Sequence, residues 1–153
     1  FRKGVDTQYI THPENVVGLL KKYGYYDETT LAIAWLHDTI EDTSLTYKDI
    51  SDAFGKEIAD GVCILTRNVS REEYKERLDS APDNIKMIKL CDTIDNIRTL
   101  EYLSKSGIEK KVVDCQSFYI PIAQELCPAI AAEMKMYIDD YLDKNEKQYG
   151  GRT

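Results

Sequence analysis

A chain of 153 residues with 42% apolar and 31% charged residues has the balance of one globular domain, long enough to bury a sizeable core and too short to divide comfortably into two. The formal net charge of −7, with Lys and Arg scattered among more numerous Asp and Glu, sets the overall field against a nucleic-acid backbone and argues against nucleic acid as a partner. No apolar run approaches bilayer-spanning length, so no membrane partner is expected.

Cys63, Cys91, Cys115 and Cys127 are widely spaced in apolar surroundings without a CxxC pair, the pattern of reduced core thiols in a cytoplasmic protein. The opening Phe1-Arg2-Lys3-Gly4 has neither an initiator Met nor a signal-peptide segment, which suggests a domain that begins inside a longer polypeptide.

In chain order, residues 14–24 follow Pro13 with helical apolar spacing (Val16, Val17, Leu19, Leu20) and a glycine stop. Asp27 can cap a second helix through Leu31, Ile33, Ala34, Trp35 and Leu36 to about residue 40, apolar nearly all round and therefore expected at the centre of the core. Ser44 and Thr46 offer caps for residues 47–54, Gly55 ends that helix, and an apolar-faced helix over 57–66 follows.

Asn68-Val69-Ser70 has the composition of a turn, and Ser70-Arg71-Glu72-Glu73 has the form of a capping box opening a charged, solvated helix through Leu78. Ala81-Pro82-Asp83 introduces a long helix over about 84–103. Residues 104–107 form a link, and helices over about 109–126 and 128–146 close the chain. No segment shows the period-two alternation of a strand, so the expected fold class is all-α.

The chain has two histidines, and neither lies on a plainly solvated face. His37 stands in Leu36-His37-Asp38-Thr39-Ile40-Glu41-Asp42-Thr43, where helical spacing places Glu41 over His37 and Asp42 over Asp38. One imidazole and three carboxyls at the end of an apolar helix are costly unless a cation or hydrogen-bond partners compensate them. Taken alone, the segment fits a solvent-wetted helix end equally well. His12, in Tyr9-Ile10-Thr11-His12-Pro13, lies just ahead of a helix, where a lone His-Pro is ordinarily a turn or cap. In the long helix, Asp92, Asn96 and Thr99 fall on one stripe at i, i+4 and i+7, so three polar groups interrupt a face that should be core.

The ordered set His12-Pro13, then HDxxEDT over 37–43, Phe54-Gly55, Leu65-Thr66, Lys89-Leu90-Cys91-Asp92 with Asn96, and Tyr119-Ile120-Pro121-Ile122-Ala123 resembles the HD superfamily. It is similar in particular to the hydrolase domain of Rel/Spo-type stringent-response enzymes and to small stand-alone alarmone hydrolases. The likeness covers most of the chain. It implies an HD-type helical bundle over 1–147, lacking an N-terminal helix, with 148–153 as a tail.

The same resemblance implies that His12, His37, Asp38 and Asp92 are metal ligands. Glu41 and Asp42 would orient and deprotonate the attacking water, and Arg2, Lys3, Asn96 and Thr99 would contact the nucleotide or its phosphates. Tyr119 is a weaker candidate for the pocket wall, and a core aromatic is as good a reading of it. Thr93 departs from the pattern, because the family commonly carries Arg directly after the KLxD aspartate.

Two imidazoles and two carboxylates suit one divalent cation, Mn²⁺ first, with Fe²⁺, Co²⁺, Mg²⁺ or Zn²⁺ as alternatives, and no further histidine is left for a second metal. The implied reaction on this small-molecule nucleotide is removal of the 3′-pyrophosphate from guanosine tetra- or pentaphosphate, by a hydrolase without a synthetase region. The rival readings are an HD 5′-nucleotidase or other nucleotide phosphohydrolase, and a catalytically idle nucleotide-binding module; oligomeric state is open. If imidazoles hold the metal at ordinary histidine pKa, affinity should weaken as pH falls through about 6 to 7.

Overall fold

The computed structural model describes residues 11–100 and 104–149, which are helical with no strand among them, so the fold class is all-α as expected. These residues cluster into two compact units, 11–92 and 93–149, and the division falls inside one helix, after Asp92. Among the described residues no helix is long and apolar enough to cross a membrane.

The first unit contains α1 (Thr11–Lys22), α2 (Glu28–Leu36), the single turn α3 (Thr39–Asp42), α4 (Tyr47–Phe54), α5 (Lys56–Leu65), α6 (Arg71–Asp79) and most of α7 (Asp83–Ile97). Asp27 caps α2 by accepting from the Thr30 N–H at 2.9 Å. Thr46, rather than Ser44, caps α4, in a complete capping box with Asp49. Gly55 joins α4 to α5 at φ +100°, a backbone angle that a side chain would strain.

α2 packs against α1 and α5, and Val16, Leu20, Ile33, Ala34, Val62, Leu78 and Ile88 are buried. α2 is less central than its composition suggests. Of its residues only Thr30, Ile33 and Ala34 are buried, while Trp35 is 39% exposed. The neighbours of α2 cover one side of it, so apolar character all round does not ensure burial all round.

The second unit holds the end of α7, then α8 (Lys105–Asp114), a π-helical turn (Cys115–Tyr119), α9 (Ile120–Leu126) and α10 (Pro128–Tyr149). Ile94, Cys115, Ile120, Ala123, Ile130, Met134 and Ile138 are buried. α8 begins at Lys105, four residues earlier than the pattern suggests, because Ser104 caps it by accepting from the Gly107 N–H at 3.2 Å. Gly107 is a donor to the cap and not a break.

The expected helix over 109–126 is interrupted by the π-turn. Pro121 lacks an N–H and crowds the preceding turn of a regular helix, and the turn widens just before it, with the Ile120 N–H reaching back to the Cys115 carbonyl. α7 ends at Ile97 instead of continuing toward residue 103, because both the N–H and the hydroxyl of Thr99 bond the Asn96 carbonyl, at 3.3 and 3.2 Å.

Among the described glycines of the first unit, Gly61 on α5 has the least room for a side chain. A Cβ there would lie 2.5 Å from Ile33 Cδ1 and 3.1 Å from Ile85 Cδ1. Gly61→Ala gains about 1 kcal/mol of helix propensity but overpacks a buried contact at a cost of about 1–3 kcal/mol. The variant should therefore unfold at lower urea concentration than the parent. An unchanged or higher midpoint would show that Ile33 and Ile85 move aside freely.

Candidate metal centre

Three segments of the first unit bring four donors to one point. His12 comes from the first described turn of α1, and so stands within the helix and not ahead of it. His37 and Asp38 come from the junction of α2 and α3, and Asp92 from α7. His12 Nε2 lies 2.7 Å from Asp92 Oδ1 and 3.5 Å from Asp38 Oδ2. His37 Nε2 lies 3.2 Å from Asp38 Oδ2 and 3.4 Å from Asp92 Oδ1. All four donor atoms fall within 4.8 Å of one another.

The two consecutive donors stand at a junction between helices. In an unbroken helix, successive side chains diverge by about 100° around the axis. Here α2 stops at Leu36, residues 37–38 form a turn with Asp38 at φ −99° and ψ −1°, and helix resumes at Thr39. The expected continuous helix to residue 40 is thus broken without Gly or Pro. Side chains take over the carbonyls that a helix end leaves unpaired. His37 Nδ1–H donates to the Ala34 carbonyl at 2.6 Å, and the Thr39 hydroxyl donates to the Leu36 carbonyl at 2.7 Å. With Nδ1 as donor, His37 in its neutral form would present the lone pair of Nε2 to the cluster.

The donor set fits a divalent cation. Bonds of about 2.0–2.2 Å place neighbouring ligand atoms roughly 3 Å apart and opposite ones roughly 4 Å apart, which matches the observed spacings. His12, His37 and Asp92 are buried and Asp38 half-buried, so little solvent is available to compensate their charge.

The buried groups shift one another's protonation instead. Burial depresses the His37 pKa, but hydrogen bonds and charge from Asp38 and Asp92 outweigh it and push the value up to about 10. Burial likewise raises the Asp92 carboxyl, yet the Lys89 ammonium and the two imidazoles hold it well below the usual carboxylate range. Lys89 Nζ donates to Asp92 Oδ2 at 2.9 Å, leaving Oδ1 on the side of the histidines.

A small cavity of about 40 Å³, room enough for water, adjoins the cluster and is lined by His37, Asp38 and Asp92 together with Glu41, Leu65, Arg67, Tyr74 and Lys89. The Glu41 carboxylate accepts the backbone N–H of Arg67. Desolvation raises its pKa, ahead of that hydrogen bond, which lowers it. Lys89 and the Arg67 guanidinium lie over the Tyr74 ring, at 5.5 and 5.9 Å from its centroid. Arg67, Tyr74 and a role for Lys89 were not legible beforehand. Lys89 had one local signal, its i,i+3 spacing from Asp92.

The remaining described candidate residues are divided between the two units. Asp42 is exposed and does not line the cavity, although its N–H donates to the Asp38 carbonyl at 2.9 Å. Asn96 is half-buried in the last turn of α7, and Thr99 lies just beyond the helix end. Tyr119 is half-buried in the π-turn, edge-on to Phe118 at 5.1 Å. Thr93 is buried, and Arg2 and Lys3 lie outside the described residues.

A family model described as HD domain matches residues 1–127. A protein of Aquifex aeolicus named guanosine-3′,5′-bis(diphosphate) 3′-pyrophosphohydrolase is 34% identical over 127 residues, covering 77% of this chain and 18% of the relative. A protein of the same name from Borreliella burgdorferi is 33% identical over 144 residues, covering 86% and 21%. A GTP pyrophosphokinase of Myxococcus xanthus is 32% identical, covering 77% and 17%. The chain therefore spans about a fifth of the length of these relatives.

Among solved structures, a metazoan ortholog of SpoT, described as hydrolysing ppGpp, superposes with a TM-score of 0.77 over 89% of this chain and 83% of its own; at 23% identity it shows the fold alone. A protein of Listeria monocytogenes EGD-e superposes with a TM-score of 0.70 at 27% identity, covering 88% and 98%.

The raised His37 pKa moves proton competition above the window of ordinary histidine. A divalent cation must displace that proton, so apparent affinity should keep rising above pH 7, about tenfold per unit for each proton released. The metal-free protein should respond oppositely. Stability from protonated His37 is present below 6.5, its ordinary value, and is lost as pH rises through about 10. Titration calorimetry with Mn²⁺ between pH 6 and 8.5, with melting curves of chelated protein, checks both signs; metal affinity flat above pH 7 would show that the cation displaces no proton from His37.

Proposed function

Because the chain belongs to the HD domain family, we propose that it is a metal-dependent phosphohydrolase that removes the 3′-pyrophosphate of guanosine tetra- or pentaphosphate. The products are GDP or GTP and pyrophosphate. The observation that carries the reading is the set of four metal donors within 4.8 Å of one another, with the Glu41 carboxylate lining the adjoining cavity. The names of the relatives from Aquifex aeolicus and Borreliella burgdorferi support the choice of substrate.

His12, His37, Asp38 and Asp92 hold the cation, and their mixed nitrogen and oxygen character favours Mn²⁺. When bound, the cation supplies positive charge against the phosphates and makes water easier to deprotonate. Glu41 takes the proton from that water as its oxygen bonds to the phosphorus on the ribose 3′-oxygen. The bond between them breaks, the 3′-oxygen is protonated, and pyrophosphate departs.

A carboxylate with a raised pKa is a better base, which suits Glu41 to this role. One Glu41 oxygen is held by the Arg67 N–H, which leaves the other for water. Arg67 and Lys89 put cations on the cavity wall, so an acidic protein can present local positive charge to an anionic substrate. Asp42, exposed and off the cavity, takes a secondary part in aligning the water.

Glu41→Gln should keep its metal and lose about 10²- to 10⁴-fold in kcat, the usual range for general-base assistance. Asp42→Asn should lose less. Metal content and initial rate are measured on the same samples with Mn²⁺, resolving pyrophosphate from orthophosphate. Near-normal turnover by Glu41→Gln sinks the base assignment, and release of orthophosphate by the parent points to a nucleotidase instead.

A further inference from the structure

The charged helix α6 lies outside the metal cluster, yet one of its side chains is tied to the segment that holds Glu41. Glu41 sits on α3, a single turn with no buried residue, followed by residues 42–49, which are all exposed. Packing therefore does little to fix its carboxylate. The Arg67 N–H, from the loop between α5 and α6, supplies a bond instead.

That loop is clasped from α6. Arg77 Nη1 donates to the Cys63 carbonyl at 3.2 Å and the Thr66 carbonyl at 3.0 Å, and Nη2 donates to Asn68 Oδ1 at 3.1 Å. The acceptors stand on both sides of Arg67. Cys63 and Thr66 belong to the end of α5, where their carbonyls also accept the Thr66 N–H and the Asn68 N–H, each at 3.1 Å, so Arg77 joins bonds that already shape the loop. Only a planar guanidinium offers several donors at fixed angles, so Lys cannot reproduce the clasp.

We propose that Arg77 is a positioning residue for the Glu41 carboxylate, acting through the α5–α6 loop by holding the Arg67 N–H in place. The inference rests on Glu41 handling the attacking water.

The test is a double-mutant cycle on the Mn²⁺-loaded protein with guanosine tetraphosphate, combining Arg77→Met with Glu41→Gln. Arg77→Met should lower kcat about 10- to 100-fold, the size expected when a reacting group is displaced by an ångström or less. KM and Mn²⁺ affinity should not change, and Arg77→Lys should not rescue. In the Glu41→Gln background, Arg77→Met should cost nothing further, because the group it positions is already disabled.

Amide exchange at Arg67 should quicken in Arg77→Met. Should Arg77→Met fail to fold, Asn68→Ala removes one exposed acceptor and should show the same pattern at smaller size. Equal losses in both backgrounds, or full kcat with unchanged Arg67 exchange, overturn the proposal while leaving the role of Glu41 intact. Full activity of Glu41→Gln overturns both.

Discussion

Two imidazoles and two carboxylates drawn from α1, the α2–α3 junction and α7 share one largely dry point, and most of the local structure answers to the charge held there. Carboxylates out of water are tolerated only when something positive stands beside them. The Lys89 ammonium stands beside Asp92, and the two carboxylates push the His37 pKa up. A divalent cation meets the same need, and the spacing of the donors matches one.

The constraint reaches back into the backbone. The helix is interrupted at residues 37–38, where two consecutive donor residues stand side by side. The interruption is made affordable by side chains, His37 to the Ala34 carbonyl and Thr39 to the Leu36 carbonyl. The hydrogen bond that orients His37 is thus also one that closes the end of α2.

Beyond the junction, packing gives way to hydrogen bonds. α3 buries nothing, and the Glu41 carboxylate is tied instead to a loop amide that lies between Tyr74 and Arg77 contacts, the Tyr74 hydroxyl donating to the Leu65 carbonyl at 3.1 Å. A helix that looks merely solvated by its composition thereby supports the cavity. The same wall carries Arg67 and Lys89 beside the carboxylates of Asp38, Glu41 and Asp92, with Lys89 paired to Asp92.

Apolar periodicity and caps determined the helices, because both act between residues a turn or less apart. Asp27, Ser70 and Gly55 stand where the pattern placed them. His12, His37, Asp38 and Asp92 were marked out together by the resemblance to the HD superfamily, whereas the residues by themselves left a turn or cap for His12 and a wetted helix end for His37 and Asp38 as readings of equal or better standing. Local pattern failed where a side chain competes with the backbone, as at His37, Thr99 and the π-turn before Pro121, because such competition is decided by geometry and not by propensity. Tertiary structure alone brought the Arg67 amide to Glu41 across 26 residues and the Arg77 guanidinium to the end of α5. A hydrogen bond between segments distant in sequence leaves no periodic trace, and it exists only once the helices have packed.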